Sequence, residues 1–184
     1  MTIVEAIKQI LRRDPSARVL ACAPSNSAAD IITQRLSVLL QTDSLFRFYA
    51  PSREKKTVPP DLLPYTFENT DGLFSHPPLG TVKSFRVVVC TCNSAAFTFG
   101  IGVERGHFSH VFIDEAGQAT EPEAMVVVKN VANASTKLIL SGDPKQLRPI
   151  IHSAIANELG LSISYLERLM ECHVYRGSND GSSG

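Results

Sequence analysis

The amino-acid sequence predicts an α/β protein built on one mostly parallel sheet with helices on both faces. Three observations carry this reading. Short apolar runs without polar alternation recur along the chain, the mark of strands buried on both faces. Stretches with apolar residues at helical spacing lie between them. Four of the runs end in polar, turn-rich segments, at 23–30, 91–95, 114–121 and 141–149, and a parallel sheet gathers such ends along one edge.

In chain order, residues 3–12 place Ile3, Val4, Ile7, Ile10 and Leu11 on one helical face, and Asp14-Pro15 ends that helix. Arg18–Ala23 reads as an apolar strand. Pro24-Ser25-Asn26-Ser27 follows as a turn and helix cap. Ala28, Ile31, Ile32, Leu36, Leu39 and Leu40 define the next amphipathic helix, and Phe46–Tyr49 a short strand. Six prolines between 51 and 80, with the charge cluster Arg53-Glu54-Lys55-Lys56, predict an irregular surface excursion from the sheet. Val87–Cys90 and Ser109–Ile113 are further strands. Glu121–Val131 is a helix with Pro122 in its first turn, and Lys137–Leu140 is the last strand. Ser162–Met170 reads as a short helix capped by Ser162, and 173–184 as a disordered, polar tail.

Composition narrows the function classes. With 184 residues the chain is long enough for one α/β domain with a core. Lys and Arg number 18 and Asp and Glu number 18, so a surface that coats nucleic acid everywhere is excluded while a local basic groove is not. Cys22, Cys90, Cys92 and Cys172 form no CxxC pair and lie mostly in apolar runs, which predicts buried, reduced thiols. No apolar run approaches the length of about 18 residues that a transmembrane helix needs, so no membrane association is expected. His107 and His110 have no Cys or carboxylate pattern around them, and no zinc site is expected.

The chemistry concentrates in Val111-Phe112-Ile113-Asp114-Glu115-Ala116-Gly117-Gln118. An apolar strand that runs into two carboxylates puts them at the carboxyl edge of the sheet, where ligands of open α/β sheets bind. Mg²⁺ is usually held by one or two carboxylates plus substrate phosphates. On this reading Asp114 binds Mg²⁺ through water, and Glu115 orients or deprotonates an attacking water. A helix start that favours acidic residues explains the same pair. In Gly142-Asp143-Pro144-Lys145-Gln146-Leu147, Gln146 offers donor and acceptor to a γ-phosphate or the lytic water, although an ordinary Gly-Asp-Pro turn fits too. A phosphate loop of the form GxxxxGK[ST] occurs nowhere in the 184 residues.

Taken together, these segments resemble superfamily 1 helicases. Ala23-Pro24-Ser25-Asn26-Ser27-Ala28-Ala29-Asp30 resembles their motif Ia, Asp114-Glu115-Ala116-Gly117-Gln118 their motif II, and Ser141-Gly142-Asp143-Pro144-Lys145-Gln146-Leu147 their motif III. The longer phrase from Gly106 to Glu123, with Leu161–Leu169, is similar to the RNA-silencing branch, that of Armitage, MOV-ten and the plant silencing-defective helicases. Ala50-Pro51-Ser52-Arg53 and Val58-Pro59 suit it as well. Arg148 stands where that branch carries Gly.

The resemblance implies a RecA-like fold of the P-loop NTPase type over 1–172, lacking the first strand and the phosphate loop, with Thr2–Leu11 as the helix after that loop. It implies ATP and Mg²⁺ as cofactors of a complete protein. Asp114 would be the metal ligand, Glu115 the base, and Gln146 the γ-phosphate sensor. Ser25, Asn26, Thr91 and Cys92 would lie at the nucleic-acid backbone, where such contacts position a strand without reading its sequence. The implied activity is ATP-driven movement along single-stranded RNA in a silencing setting. Argonaute-type proteins are implied as partners, and the cytoplasm or its ribonucleoprotein granules as the location. The chain alone is expected to be inactive. The alternative is a non-catalytic RNA- or partner-binding remnant, or a pseudogene product.

Overall fold

A computed structural model describes residues 2–143, 148–172 and 174–175. The first element is helix α1 (Thr2–Arg13). Strand β1 (Val19–Ala23) follows, then α2 (Asn26–Ser37), β2 (Leu45–Arg47), α3 (Leu79–Ser84), β3 (Val87–Thr91), α4 (Ala96–Gly100) and β4 (His110–Ile113). The chain continues through α5 (Glu121–Val131), β5 (Lys137–Leu140), α6 (Ala154–Glu158) and α7 (Tyr165–Glu171). The five strands form one sheet in the order β2-β3-β1-β4-β5, and every pairing is parallel. This is the mostly parallel sheet the sequence predicts.

The apolar runs lack alternation because both faces of the sheet are covered. From β1, Val19, Ala21 and Ala23 face the cluster that holds Ile3 and Ile7 of α1 and Ala29, Ile32 and Leu36 of α2. Leu20 and Cys22 face the opposite cluster, with Val82 of α3 and Ala124, Val127 and Val131 of α5. Burying a Val, Leu or Ile side chain is worth about 1.5–3 kcal/mol. The central strands therefore anchor the fold, and all of β1 and β4 is buried. Strand β5, at the edge, is only half-buried.

Three details differ from the sequence reading. Strand β2 begins at Leu45 and ends at Arg47. Phe48 still donates to the Val89 carbonyl (2.9 Å), but Tyr49 leaves the sheet for a small core with Val58, Leu62 and Phe74. The excursion at 51–80 is thus folded back on its own apolar residues, with 3₁₀ turns at Lys55–Thr57 and Pro60–Tyr65. The last helix is capped by Ser164, not Ser162: its side chain accepts from the Glu167 amide at 3.1 Å. The spacing Ser164-x-x-Glu167 is the sequence signal for that cap. Gln146 and the tail beyond Tyr175 lie outside the described residues.

Candidate functional site

Because all five strands run the same way, the loops after β1, β3, β4 and β5 share one edge. From β1 the chain crosses towards β3 and β2, whereas from β4 it crosses towards β5. The crevice between the carboxyl ends of β1 and β4 is therefore the topological switch point, where open α/β sheets bind ligands. Asp114 sits there: its amide donates to the Cys22 carbonyl of β1 at 2.8 Å.

The loop after β4 is tied on both sides. The Ala116 amide donates to the Ser141 carbonyl (2.8 Å), and the Ser141 amide to the Ile113 carbonyl (2.9 Å). This zips the start of the β5 loop against the carboxylate loop. Gly142 is needed for it, since a Cβ there would lie 2.9 Å from the Ala116 nitrogen and 3.0 Å from the Gly117 nitrogen. Glu115 has φ +52°, the left-handed region that non-glycine residues seldom occupy. Its carbonyl accepts from the Gln118 amide at 2.8 Å, and its carboxylate from the Gln118 side chain at 3.0 Å. A strained residue held by its neighbours at a ligand edge is the pattern of a functional position. Asp114 and Glu115 are both half-buried.

These residues fit part of a nucleotide site. The Asp114 carboxylate is a hard oxygen donor of the kind Mg²⁺ takes, and that ion keeps most of its shell for water and phosphate. No group of three or more potential metal-binding side chains occurs among the described residues. The described loops supply no glycine-rich cradle for a triphosphate.

The nucleic-acid candidates occupy the neighbouring loops. Ser25 is exposed and caps α2, its oxygen accepting from the Ala28 amide at 3.1 Å. Thr91 donates to the Ser94 hydroxyl at 2.8 Å. Cys92 differs: its side chain is 1% exposed and packed in the core, and burial pushes its thiol well up. Its backbone is engaged as well, the amide donating to the Ala23 carbonyl at 2.9 Å and the carbonyl accepting from the Ala95 amide at 3.2 Å, so position 92 offers a ligand no free group. Arg148, in the loop after β5, donates to Glu167 of α7 at 2.6 Å, so an acidic neighbour accounts for its charge. Arg168 of α7 pairs likewise with Glu121 of α5.

One cluster lies outside the sequence reading. Arg47 is fully buried at the end of β2 and donates to Asp30 Oδ1 from Nε (2.9 Å) and Nη2 (2.8 Å). Tyr49 donates to the same oxygen at 2.7 Å, and its ring lies under the guanidinium at 4.0 Å. Burial pushes the Tyr49 phenol well above its ordinary value. Arg47 Nη2 also donates to the Asn26 side-chain oxygen at 3.0 Å. A charge inside the apolar run Phe46-Arg47-Phe48 was the available signal, since a buried Arg demands a partner.

The family described as "AAA domain" matches residues 80–154. Human "RNA helicase Mov10l1" is 40% identical over 178 residues, covering 96% of this chain and 14% of that protein. The Drosophila melanogaster protein described as "Probable RNA helicase armi" is 37% identical over 194 residues, covering 96% of this chain and 16% of that one. The chain is a homologue of the Mov10l1 and Armitage RNA helicases. The mouse Mov10l1 helicase is 39% identical over 177 residues, 95% of this chain and 14% of its own length. The chain thus spans about a seventh of the length of these helicases, and the stretch it matches includes the loops after β1, β3, β4 and β5. Among the described residues no helix is long and apolar enough to cross a membrane.

Proposed function

We propose that this chain supplies part of the first RecA-like lobe of an ATP-dependent RNA helicase. It contributes the metal-and-base half of the nucleotide site and part of the surface that holds the RNA backbone. The observation that carries this reading is the pair Asp114-Glu115 at the switch point, joined to the β5 loop through the Ala116–Ser141 bond and Gly142. A change at the γ-phosphate would reach the β5 loop through that joint. When bound, Mg²⁺·ATP supplies the electrophilic phosphorus and neutralises its charge. Asp114 would hold the metal through its water, Glu115 would take the proton of the lytic water, and Gln146 would be the residue for the γ-phosphate. Ser25, Asn26 and Thr91 face single-stranded RNA, while the buried Cys92 supports their loop from the core. The phosphate cradle and the second lobe come from sequence other than these 184 residues. The silencing setting, an Argonaute-type partner and a cytoplasmic location rest on the resemblance to the silencing branch, and co-purification from source tissue tests them.

The decisive experiment uses a protein that carries this chain at the length of its relatives. RNA should stimulate its ATP hydrolysis, and Glu115→Gln should lower kcat by about 10²-fold or more while RNA stays bound. Unchanged turnover in that variant would overturn the assignment of Glu115. The isolated 184 residues should hydrolyse no ATP, because backbone amides and a lysine of a phosphate loop normally cradle the triphosphate. RNA binding without hydrolysis in the longer protein would favour a non-catalytic RNA-binding role.

A further inference from the structure

The buried cluster around Arg47 joins the end of β2 to the Ala23–Asp30 segment, through Asp30 and the side chain of Asn26. Arg47 has no freedom to move. It is fully buried, Asp30 engages two of its nitrogens, Nη1 donates to the Phe48 carbonyl at 2.6 Å, and the Tyr49 ring covers its face. The remaining hydrogen-bonding direction of Nη2 points at the Asn26 side-chain amide, 3.0 Å away. A guanidinium has donors and no acceptor. The amide oxygen must therefore face Arg47, since the flipped amide would bring two donors together and forfeit a bond to a charged group. The amide nitrogen is then directed away from Arg47, and among the described residues it donates to no protein atom.

Asn26 begins α2, directly after the carboxyl end of β1, and is half-buried. Its loop neighbours that of Asp114, because Cys22 of β1 pairs with Ile113 of β4. An asparagine held in one amide orientation presents a donor where a freely turning one presents donor and acceptor alternately. We propose, resting on the functional reading above, that Arg47 is a positioning residue. It fixes the Asn26 amide nitrogen outward, as a donor to an acceptor oxygen of the sugar–phosphate backbone of single-stranded nucleic acid. Asp30 and Tyr49 hold Arg47 for that task. The arrangement reads no base and leaves the contact independent of sequence.

The test measures binding of a fluorescein-labelled uridine 15-mer to the 184-residue chain by anisotropy, with the melting temperature of each variant recorded alongside. Asn26→Ala should weaken binding about tenfold, the loss expected for one hydrogen bond to a charged acceptor. Asn26→Asp keeps an oxygen towards Arg47, so it should melt within a few degrees of the unsubstituted chain and still bind at least as weakly as Asn26→Ala. Arg47→Lys keeps the charge opposite Asp30 but loses the planar fork, and should weaken binding about fivefold at temperatures well below its melting point. In the Asn26→Ala background the same Arg47→Lys change should alter affinity less than twofold, because the two residues act through one contact.

Undiminished binding by Asn26→Asp overturns the proposal, as does an Arg47→Lys effect equally large with and without Asn26. Asn26→Asp leaves the buried pair whole, so it decides the case even where Arg47→Lys fails to fold. Repeating the series with the matching deoxyribonucleotide separates the acceptors: an equal penalty points to phosphate, a penalty on RNA alone to the ribose hydroxyl. An unsubstituted chain that binds neither polymer overturns the nucleic-acid reading of the whole edge, and the proposal with it.

Discussion

Two guanidinium–carboxylate contacts of similar length stand in opposite halves of the molecule. Arg47 meets Asp30 at 2.8 Å on the β2 side, and Arg148 meets Glu167 at 2.6 Å on the β5 side. Side-chain exposure is 0% and 7% for the first pair, 59% and 18% for the second. Solvent, not distance, decides what each can do. The buried pair has no water to replace a lost partner, so it behaves as a fixed joint under the loop of Ser25 and Asn26. The exposed pair exchanges with water at little cost, so the loop after β5 is only lightly tied to α7. The surroundings match: β2 is fully buried, whereas β5 is half-exposed and Ile150, Ile155 and Leu159 beyond it are largely exposed. The buried joint thus underlies the loop proposed to hold a strand, and the exposed one ties Arg148 to α7 only weakly.

Three substitutions break or sharpen this contrast. Asp30→Ala leaves a buried guanidinium uncompensated and should cost about 3–5 kcal/mol, read as a lower urea midpoint at constant slope. A loss below about 1 kcal/mol there would put the buried pair in the same class as surface pairs and remove the contrast. Gly142→Ala forces a methyl against the backbone nitrogens of Ala116 and Gly117, and should cost about 1–3 kcal/mol. If Gly142→Ala is neutral in the same urea experiment, the carboxylate and β5 loops are not in the contact described. Arg148→Ala should change stability by less than about 1 kcal/mol, and raising the salt should shrink even that. A salt-insensitive loss as large as that of Asp30→Ala would mean that the β5 side is as rigid as the β2 side.

Sequence reasoning reached different depths in these two halves for physical reasons. Strand β5 and helix α5 fall on the residues the sequence predicts, and β1 and β4 within one residue, because uniform apolar runs and a proline in the first turn of a helix, Pro122, are local signals. The carboxylates were legible because they end such a run. Helices α3, α4 and α6 were not, since each has five or six residues and buries at most one, too little for a helical period to show. Arg47 was missed for another reason: its partner Asp30 is 17 residues away, on a helix, and nothing local joins the two. Cys92 was placed at the nucleic-acid backbone by the resemblance to helicases alone. Its thiol belongs instead to the core, because the chain enters a 3₁₀ turn there and rolls the side chain inward.

The position of β1 has a consequence for how the chain is made. Its two sheet neighbours are β3, which ends at Thr91, and β4, which ends at Ile113. The segment that follows it directly, β2, does not touch it. During synthesis Val19–Ala23 therefore waits some seventy residues for its first partner and some ninety for its second, an apolar strand with an open edge meanwhile. Pairings so distant in sequence make folding slow. Among the five described strands, the most buried is the one that waits longest for its last neighbour.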